Sequence, residues 1–388
     1  MNATTLNAPT LSSARSQARS QQIATRIVFF IAGLGVAAWA PLVPYAKARM
    51  QIEDGMLGLL LLCLGAGSLL AMPLAGALTA RLGCRLVITV STVVICLTLP
   101  LLATLSNFQS LTISLLMFGA GIGALDVSMN VQAIIVERAS RKTMMSGFHG
   151  LFSVGGIVGA GGVAALLGMG ISPLLAVIII VAIVIAALAL ATTSLLPYGS
   201  KSEGPLFALP SGVVLLLGIV CFIVFLAEGA VLDWSAVLLS SAHGMDASHA
   251  GLGYAAFALT MTIGRLTGDR IVQLLGGAKV VALGGVCAAA GIALATLGAS
   301  WQVALLGYAL VGVGCSNIVP VMFSAAGRQK VMPENVAVPA ITTLGYAGIL
   351  VGPAAIGFIA HLINLSAAFL ILGLLLIGVS TSVRLLRL

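Results

Sequence analysis

Charged residues are scarce in this sequence: Lys, Arg, Asp and Glu make up 7% of its 388 residues, whereas a soluble domain carries roughly 25%. Aromatic residues are also few, at 5%, which argues against a large ligand cavity lined by aromatic rings. The sequence contains no HExxH motif and no metal-spaced cysteine pair, which argues against a membrane enzyme. We therefore expect no metal and no cofactor, and six cysteines that are free thiols.

Apolar residues are correspondingly abundant, at 60% of the chain. A bilayer core of roughly 30 Å requires about 20 mostly apolar residues for each helical crossing, and such runs follow one another from Ile23 to Leu386. The sequence thus predicts an all-α integral membrane protein with twelve transmembrane helices, numbered here as spans 1 to 12. They are predicted near residues 24–46, 55–80, 84–104, 109–136, 144–167, 174–196, 212–239, 249–272, 278–298, 302–326, 336–361 and 366–384.

The spans divide into two halves. An offset of 193 residues brings several glycines into register, including Gly58 with Gly251 and Gly119 with Gly312, and this favours an internal duplication. We predict two pseudo-symmetric six-helix bundles, 23–196 and 212–388, joined by a cytoplasmic linker, 197–211. Residues 1–22 are polar and are predicted to form a disordered cytoplasmic tail.

The basic residues predict the orientation. If the N-terminus is cytoplasmic, sixteen of the 18 Lys and Arg residues lie on the cytoplasmic side, and only Lys47 and Arg49 lie opposite. Both termini are therefore predicted to be cytoplasmic, in a multi-pass protein of a bacterial inner membrane. The net charge of +8 then reflects topology, and we expect the lipid bilayer but no nucleic acid as a partner.

Acidic residues inside the predicted spans are the clearest indication of function. A carboxylate near a helix centre costs roughly 2.5 to 3.5 kcal/mol on insertion scales and normally faces a cavity or a partner. Asp126 and Glu228 are predicted to be proton-coupling groups, since removal from water favours the protonated form of a carboxylate. The alternative for Asp126 is a buried hydrogen bond that ties span 4 to a neighbour.

Polar residues near these acids are candidate ligands of a substrate. Asn130 lies on the same helical stripe as Asp126, and an antiparallel pairing of spans 4 and 5 would bring His149 and Ser153 to similar depths. The alternative for His149 is an interfacial histidine. In the second half the candidates are Asn317 and Tyr346, for which packing is the competing interpretation.

Three residues are predicted to form the periplasmic gate: Trp39, Asp233 and Trp234. They lie toward the periplasmic ends of spans 1 and 7. For Asp233 and Trp234 the alternative is an interfacial anchor, because aromatic side chains are enriched at membrane surfaces.

A turn motif between spans 2 and 3 carries a family resemblance. The segment from Gly76 to Arg85, GALTARLGCR, resembles the cytoplasmic turn of the major facilitator superfamily, with Ala80 where that family has a carboxylate. The residues that the resemblance assigns to this motif and to its counterpart after span 8 are Gly76, Arg81, Gly83, Arg85, Arg265, Asp269 and Arg270.

Span 4 resembles the fourth helix of fucose-permease-like sugar and proton symporters, through the glycines and acid of GIGALDVSMN, residues 121–130. The resemblance implies that Asp126 belongs to a proton and substrate site. Span 1 lacks the carboxylate that this branch carries there.

Together these patterns predict a secondary active transporter that is proton-coupled, acts by alternating access as a monomer, and moves a small polar solute such as a sugar or related metabolite. A proton-driven exporter of a metabolite or drug is an alternative, and a membrane sensor without transport is an alternative of another class.

Overall fold

The computed structural model describes residues 11–200, 208–246 and 249–386. Within these ranges the chain is helical, without strands. The helices of the first half are α1 (Leu11–Ala37), α2 (Val43–Met50), α3 (Asp54–Leu82), α4 (Cys84–Thr104), α5 (Phe108–Ser140), α6 (Met145–Gly168) and α7 (Pro173–Thr192). The helices of the second half are α8 (Gly212–His243), α9 (Leu252–Leu275), α10 (Gly277–Leu297), α11 (Trp301–Cys315), α12 (Ile318–Ala326), α13 (Glu334–Leu362) and α14 (Leu365–Leu386).

These fourteen helices account for the twelve predicted spans, because two spans are broken. Span 1 comprises α1, a 3₁₀ turn over Ala40–Leu42 and α2, and span 10 comprises α11 and α12. By length and composition, eleven spans of the described chain are apolar enough to cross a membrane. The twelfth is α9, which carries Arg265, Asp269 and Arg270. The twelve-helix fold predicted from the sequence is confirmed.

The N-terminal helix is longer than the sequence analysis predicted. Helix α1 begins at Leu11, so the predicted disordered tail, 1–22, is helical from that residue onward, and residues 1–10 lie outside the described chain. The segment is rich in Ala, Arg and Gln, which are good helix formers. The Gln22 side chain also donates a hydrogen bond to Ser140 Oγ at 2.9 Å, which fastens α1 to the end of α5.

The break in span 10 has a local cause. Proline has no backbone N–H, so Pro320 cannot donate to the Ser316 carbonyl one turn before it. Ser316 and Asn317 lie between α11 and α12, and a side chain from another helix occupies the free carbonyl, as described below.

Glycines allow close approach of helices within each half. Gly119 of α5 faces the Leu64 carbonyl of α3, where a Cβ atom would clash, and Ser68 Oγ donates to the Gly119 carbonyl at 2.8 Å. Small residues of this kind are typical of helix contacts in membranes. Between the halves, α3 packs on α13 and α6 packs on α9.

We call the end of the bundle where α1 begins and α14 ends the terminal face, and the other end the opposite face. Because the chain crosses the bundle at each span, the C-terminal ends of α3, α5, α7, α9 and α12 lie at the terminal face, together with the N-terminal ends of α6, α8 and α13. Asp126 and Glu228 lie near the middle of α5 and α8, two of the longest helices.

Candidate functional site

A buried ion pair lies between α8 and α9. Arg265 Nη2 donates to Glu228 Oε1 at 3.1 Å, and the two side chains are 7% and 15% exposed. Arg265 is ten residues from the end of α9, about 15 Å along the helix at 1.5 Å per residue. Its guanidinium is therefore deep in the bundle, far from the terminal face.

The same guanidinium joins the two halves of the protein. Arg265 Nη1 donates to Ser153 Oγ of α6 at 3.0 Å, and its Nε donates to the Ser316 carbonyl at 3.4 Å. The carbonyl that Pro320 leaves free thus receives a charged donor. From the sequence, Arg265 was predicted to belong to a cytoplasmic-turn motif with Asp269 and Arg270, but its guanidinium lies with Glu228 and Ser153.

Asp126 and Asn130 form a second polar pair, on α5. Asn130 is fully buried, and its Nδ2 donates to Asp126 Oδ1 at 3.2 Å and to the Asp126 carbonyl at 2.8 Å. Asn130 Oδ1 is buried without a hydrogen-bond partner. Asp126 is therefore held by a neutral amide from its own helix.

The cluster predicted from Asp126, Asn130, His149 and Ser153 divides into two parts. Helix α5 packs mainly on α3 and α4, whereas α6 packs mainly on α1 and α9. The polar faces of α5 and α6 therefore do not meet as the assumed pairing of these two helices predicted. Among the described residues, no hydrogen bond joins the Asp126 pair to His149 or Ser153.

His149 lies between the rings of Phe29 and Phe323, with centroid distances of 5.2 and 5.6 Å. The residue is 8% exposed, and its Nε2 is buried without a hydrogen-bond partner. His149 also lies within electrostatic range of Arg265. The structure therefore places it beside the Arg265 cluster rather than beside Asp126.

The two second-half candidates lie in different places. Asn317 Nδ2 donates to the Gly264 carbonyl at 3.0 Å and to Ser316 Oγ at 2.9 Å, which holds the break in span 10 against α9. Tyr346 of α13 packs against Met72 of α3 and Val127 of α5, within electrostatic range of Asp126.

Tyr254 is a further candidate for the site that was not predicted from the sequence. It lies on α9, is 38% exposed and is within electrostatic range of Glu228, Arg265 and Asp233. Its spacing of eleven residues from Arg265 corresponds to about three turns of helix, which puts both residues on one face. That spacing was the available signal.

The three predicted gate residues do not form one cluster. Asp233 is exposed on α8, whereas Trp234 donates from Nε1 to the Pro353 carbonyl at 3.1 Å and packs against Gly357 within the second half. Trp39 is 5% exposed at the break in span 1, and its Nε1 has no hydrogen-bond partner.

Polar contacts between the halves cluster at the terminal face, and we call them the terminal latch: Glu137 with Ser324, Arg138 with Glu334, and Asp269 with Gly147. Glu137 accepts hydrogen bonds from Ser324 Oγ at 2.6 Å and from the N–H groups of Met144 and Met145 at 2.7 and 2.9 Å. Asp269 accepts the Gly147 N–H at 3.1 Å. Both carboxylates therefore sit at the N-terminus of α6, where a helix favours negative charge.

The remaining latch contact is an ion pair from α5 to α13. Arg138 Nη2 lies 2.6 Å from Glu334 Oε2 and 2.7 Å from the Gly327 carbonyl, and its side chain is 55% exposed. These residues border a terminal-face cavity of about 790 Å³ that is also lined by Arg328 and Lys330.

We predict that the latch depends more on Glu137 than on Arg138. Replacing Glu137 by Ala removes one hydrogen bond across the halves, from Ser324, and two from the N-terminus of α6. Each hydrogen bond to a carboxylate is worth about 1.5 to 3 kcal/mol, whereas the ion pair made by the 55% exposed Arg138 side chain contributes about 0 to 1 kcal/mol. Hydrogen–deuterium exchange of residues 144–150 should therefore accelerate about tenfold or more in Glu137→Ala. Arg138→Ala is the matched control, and equal acceleration in both variants would contradict the prediction.

Three of the four first-half motif residues have a structural role. Gly83 has a φ of 86° between α3 and α4, and Gly76 faces Pro339 and the Asn335 carbonyl of α13. Arg85 donates to the Leu195 and Thr193 carbonyls at the end of α7 at 2.8 to 3.0 Å. Arg81 of this motif and Arg270 of its second-half counterpart are exposed.

We expect Arg85→Gln to lower the thermal unfolding midpoint of the purified protein, because it removes a cation from the C-terminal carbonyls of α7. The expected loss is about 1 to 3 kcal/mol. Arg81→Gln, four residues earlier in the same motif, should leave the midpoint unchanged. The same decrease in both variants would mean that the general loss of positive charge, and not the cap, matters.

Sequence comparison identifies the family. Residues 26–330 match the model of the Major Facilitator Superfamily. The chain belongs to this superfamily of membrane transporters. This agrees with the twelve-helix fold, and it confirms the resemblance seen in the turn motif.

Sequence relatives support this assignment, and solved structures share the fold. The chain is 58% identical over 366 residues to an uncharacterized MFS-type transporter of Yersinia pestis, covering 94% of this chain and 95% of the relative. It is 34% identical to the membrane protein MosC of Rhizobium meliloti, covering 88% and 84%. The fold is similar to that of the Escherichia coli fucose:proton symporter FucP, with a TM-score of 0.80, 18% identity and 94% and 99% of the chains covered for its outward conformation. It is also similar to the human organic anion transporter MFSD10 (TM-score 0.76, 18% identity, 94% and 99% covered).

Proposed function

We propose that this superfamily member is a proton-coupled secondary active transporter, which moves a small polar solute across a bacterial inner membrane by alternating access. The observation that carries the proposal is the Arg265 cluster, in which Glu228 from one half and Ser153 from the other contact a single buried guanidinium. Charged groups at this depth are costly and mark transport pathways in membrane proteins.

Asp126 supports the proton-coupling part of the proposal. It lies mid-helix on α5, and its hydrogen bond comes from the neutral amide of Asn130. Because no cation is paired with it in the described chain, Asp126 can bind a proton and lose it again without breaking an ion pair. Intramembrane carboxylates of this kind form proton relays in transporters.

The arrangement of the halves supports alternating access. The terminal latch closes the terminal face, while the Arg265 cluster lies between the halves near the middle of the bundle. Rocking of one six-helix half against the other around a midplane site is the usual mechanism of such repeats. The surplus of Lys and Arg at the terminal face supports a cytoplasmic location of that face in this proposal, with one chain acting as a monomer.

The solute is small and polar, since hydroxyl, amide and charged groups surround the site. Two structural neighbours, a fucose:proton symporter and an organic anion transporter, suggest neutral sugars and organic anions as the two classes to screen.

The test is solute-driven proton movement in proteoliposomes that contain a trapped pH indicator. Hexoses, pentoses, polyols, sugar acids and small dicarboxylates are added one at a time, with empty liposomes as the control. A proton-coupled transporter predicts a pH change inside the vesicles that needs both the protein and one class of solute. If labelled solutes accumulate without any dependence on a pH gradient, the protein transports but proton coupling is excluded. If no solute moves, the transport proposal itself is overturned.

A further inference from the structure

We infer that the solute carries a carboxylate, and that Arg265 binds this group in place of Glu228. The inference rests on the proposed function and specifies the substrate class of the same site. In the structure Glu228 Oε1 accepts a hydrogen bond from Arg265 Nη2 at 3.1 Å. A carboxylate oxygen of the solute would accept from the same guanidinium.

The guanidinium has unused donors. Arginine has five N–H groups, and Arg265 uses one each for Glu228, Ser153 and the Ser316 carbonyl. Two N–H groups remain, one on Nη1 and one on Nη2. Arginine binds carboxylates best through two parallel hydrogen bonds, and the contact with Glu228 is monodentate. A bidentate solute carboxylate would therefore improve on the resident partner.

A second, independent observation comes from His149. Its Nε2 is buried without a hydrogen-bond partner, although buried polar atoms are normally paired. His149 lies on α6 one turn before Ser153, within electrostatic range of Arg265. An oxygen-bearing solute held by Arg265 would give this nitrogen the partner that the protein does not supply.

The exchange balances in charge and in protons. When Glu228 accepts a proton it becomes neutral and releases Arg265, and the solute carboxylate then restores a neutral ion pair. One proton therefore enters the site with each carboxylate. The titratable groups of the described chain within electrostatic range of the Glu228 and Arg265 pair are Cys221 on α8, Tyr254 on α9, Cys315 on α11 and His149 on α6.

A neutral sugar fits this site less well. A hydroxyl group cannot replace the charge of Glu228 beside a buried guanidinium, and leaving a buried charge unpaired is strongly unfavourable. Glu228 would then have to stay bound to Arg265 and occupy the site together with the sugar.

The experiment compares matched solutes that differ only in the acid group: glucuronate with glucose, and galacturonate with galactose. Binding is measured from the thermal unfolding midpoint of the purified full-length protein, at pH 5.5 and pH 8, and flux is measured in proteoliposomes. We expect a sugar acid to raise the midpoint and to exchange across the membrane, and its neutral partner to do neither. Because a proton is taken up with the solute, binding should be tighter at the lower pH.

The variants distinguish recognition from folding. Arg265→Lys keeps the positive charge but loses the planar guanidinium that can donate two parallel hydrogen bonds to a carboxylate. The affinity for a sugar acid should therefore fall about tenfold or more. The double variant Arg265→Gln with Glu228→Gln removes both charges, and it should stay folded but bind no sugar acid. Glu228→Gln alone should bind the acid equally well at both pH values.

Three results would overturn the inference: neutral sugars that bind and move while the acids do not, sugar-acid binding that persists in the double variant, or no response to either acid by the folded wild-type protein. Flux of a neutral sugar would overturn the carboxylate but leave proton-coupled transport standing. Absence of all flux would remove both.

Discussion

Replacing Arg265 by Gln is expected to lower the free energy of unfolding by about 3 to 5 kcal/mol, because it leaves Glu228 as an unpaired buried charge. The variant also loses the hydrogen bonds that Arg265 donates to Ser153 Oγ and to the Ser316 carbonyl. Pro320 cannot replace the second bond because proline has no N–H. A thermal melt in a mild detergent measures the effect as a lower unfolding midpoint. Arg270→Gln, on the same helix but exposed, is the matched control and should melt like the wild type.

The double variant with Glu228→Gln separates charge from packing. Replacing a buried ion pair by neutral groups is often nearly neutral for stability, so this variant should recover most of the loss seen in Arg265→Gln. If both variants melt equally early, the cost comes from lost hydrogen bonds and packing around α9. The ion pair would then contribute little to stability.

The second large effect is expected for Asp126→Asn. A pH gradient of about one unit supports up to about tenfold solute accumulation for each coupled proton. The variant should lose the roughly tenfold accumulation that a proton on Asp126 contributes, because asparagine cannot carry that proton, and should keep only the accumulation that is coupled through Glu228. The substitution is conservative, since the amide oxygen of the new side chain can still accept from Asn130 Nδ2, which contacts Asp126 Oδ1 at 3.2 Å in the wild type.

Solute counterflow, which needs no gradient, is the second measurement on this variant. Counterflow should persist in Asp126→Asn. This result would show that the variant is folded and still exchanges solute. Glu53→Gln neutralises an exposed carboxylate at the start of α3 and is the matched control. This variant should keep both gradient-driven accumulation and counterflow. Undiminished gradient-driven accumulation in Asp126→Asn would remove Asp126 from the coupling mechanism.

The fold could be predicted from the sequence because hydropathy and length dominate helix formation in a bilayer. Helix boundaries were less predictable: Leu11 starts α1 well before the apolar run, since Ala, Arg and Gln extend a helix without being buried. The break at Ser316 and Asn317 was signalled by Pro320, although its position in an apolar run made span 10 look continuous.

The site was only partly predictable, because helix neighbours are not encoded in the local pattern. Asp126, Asn130 and Glu228 were predicted from polarity and depth, with the span 4 resemblance as further support for Asp126, and Ser153 was predicted from an assumed pairing of spans 4 and 5. The partner of Glu228 was not, since Arg265 lies near Asp269 and Arg270 in the sequence and was grouped with them. Its depth of ten residues from the end of α9 was the missed signal. The pairing of α6 with α9, rather than with α5, decides which polar groups meet.

The terminal latch has a consequence for molecules that approach from the terminal face. If the hydrogen bonds to Glu137 and Asp269 that cross between the halves contribute about 1.5 kcal/mol each and the partly exposed Arg138–Glu334 pair contributes little, the latch would hold that entrance shut in about 99% of molecules. An inhibitor that binds only to the open entrance finds about 1% of the molecules in that state. Its apparent dissociation constant from that side should therefore be about 100-fold larger than its intrinsic one. A compound acting from the opposite face should not show this difference, so sidedness of inhibition would report the bias of the resting protein.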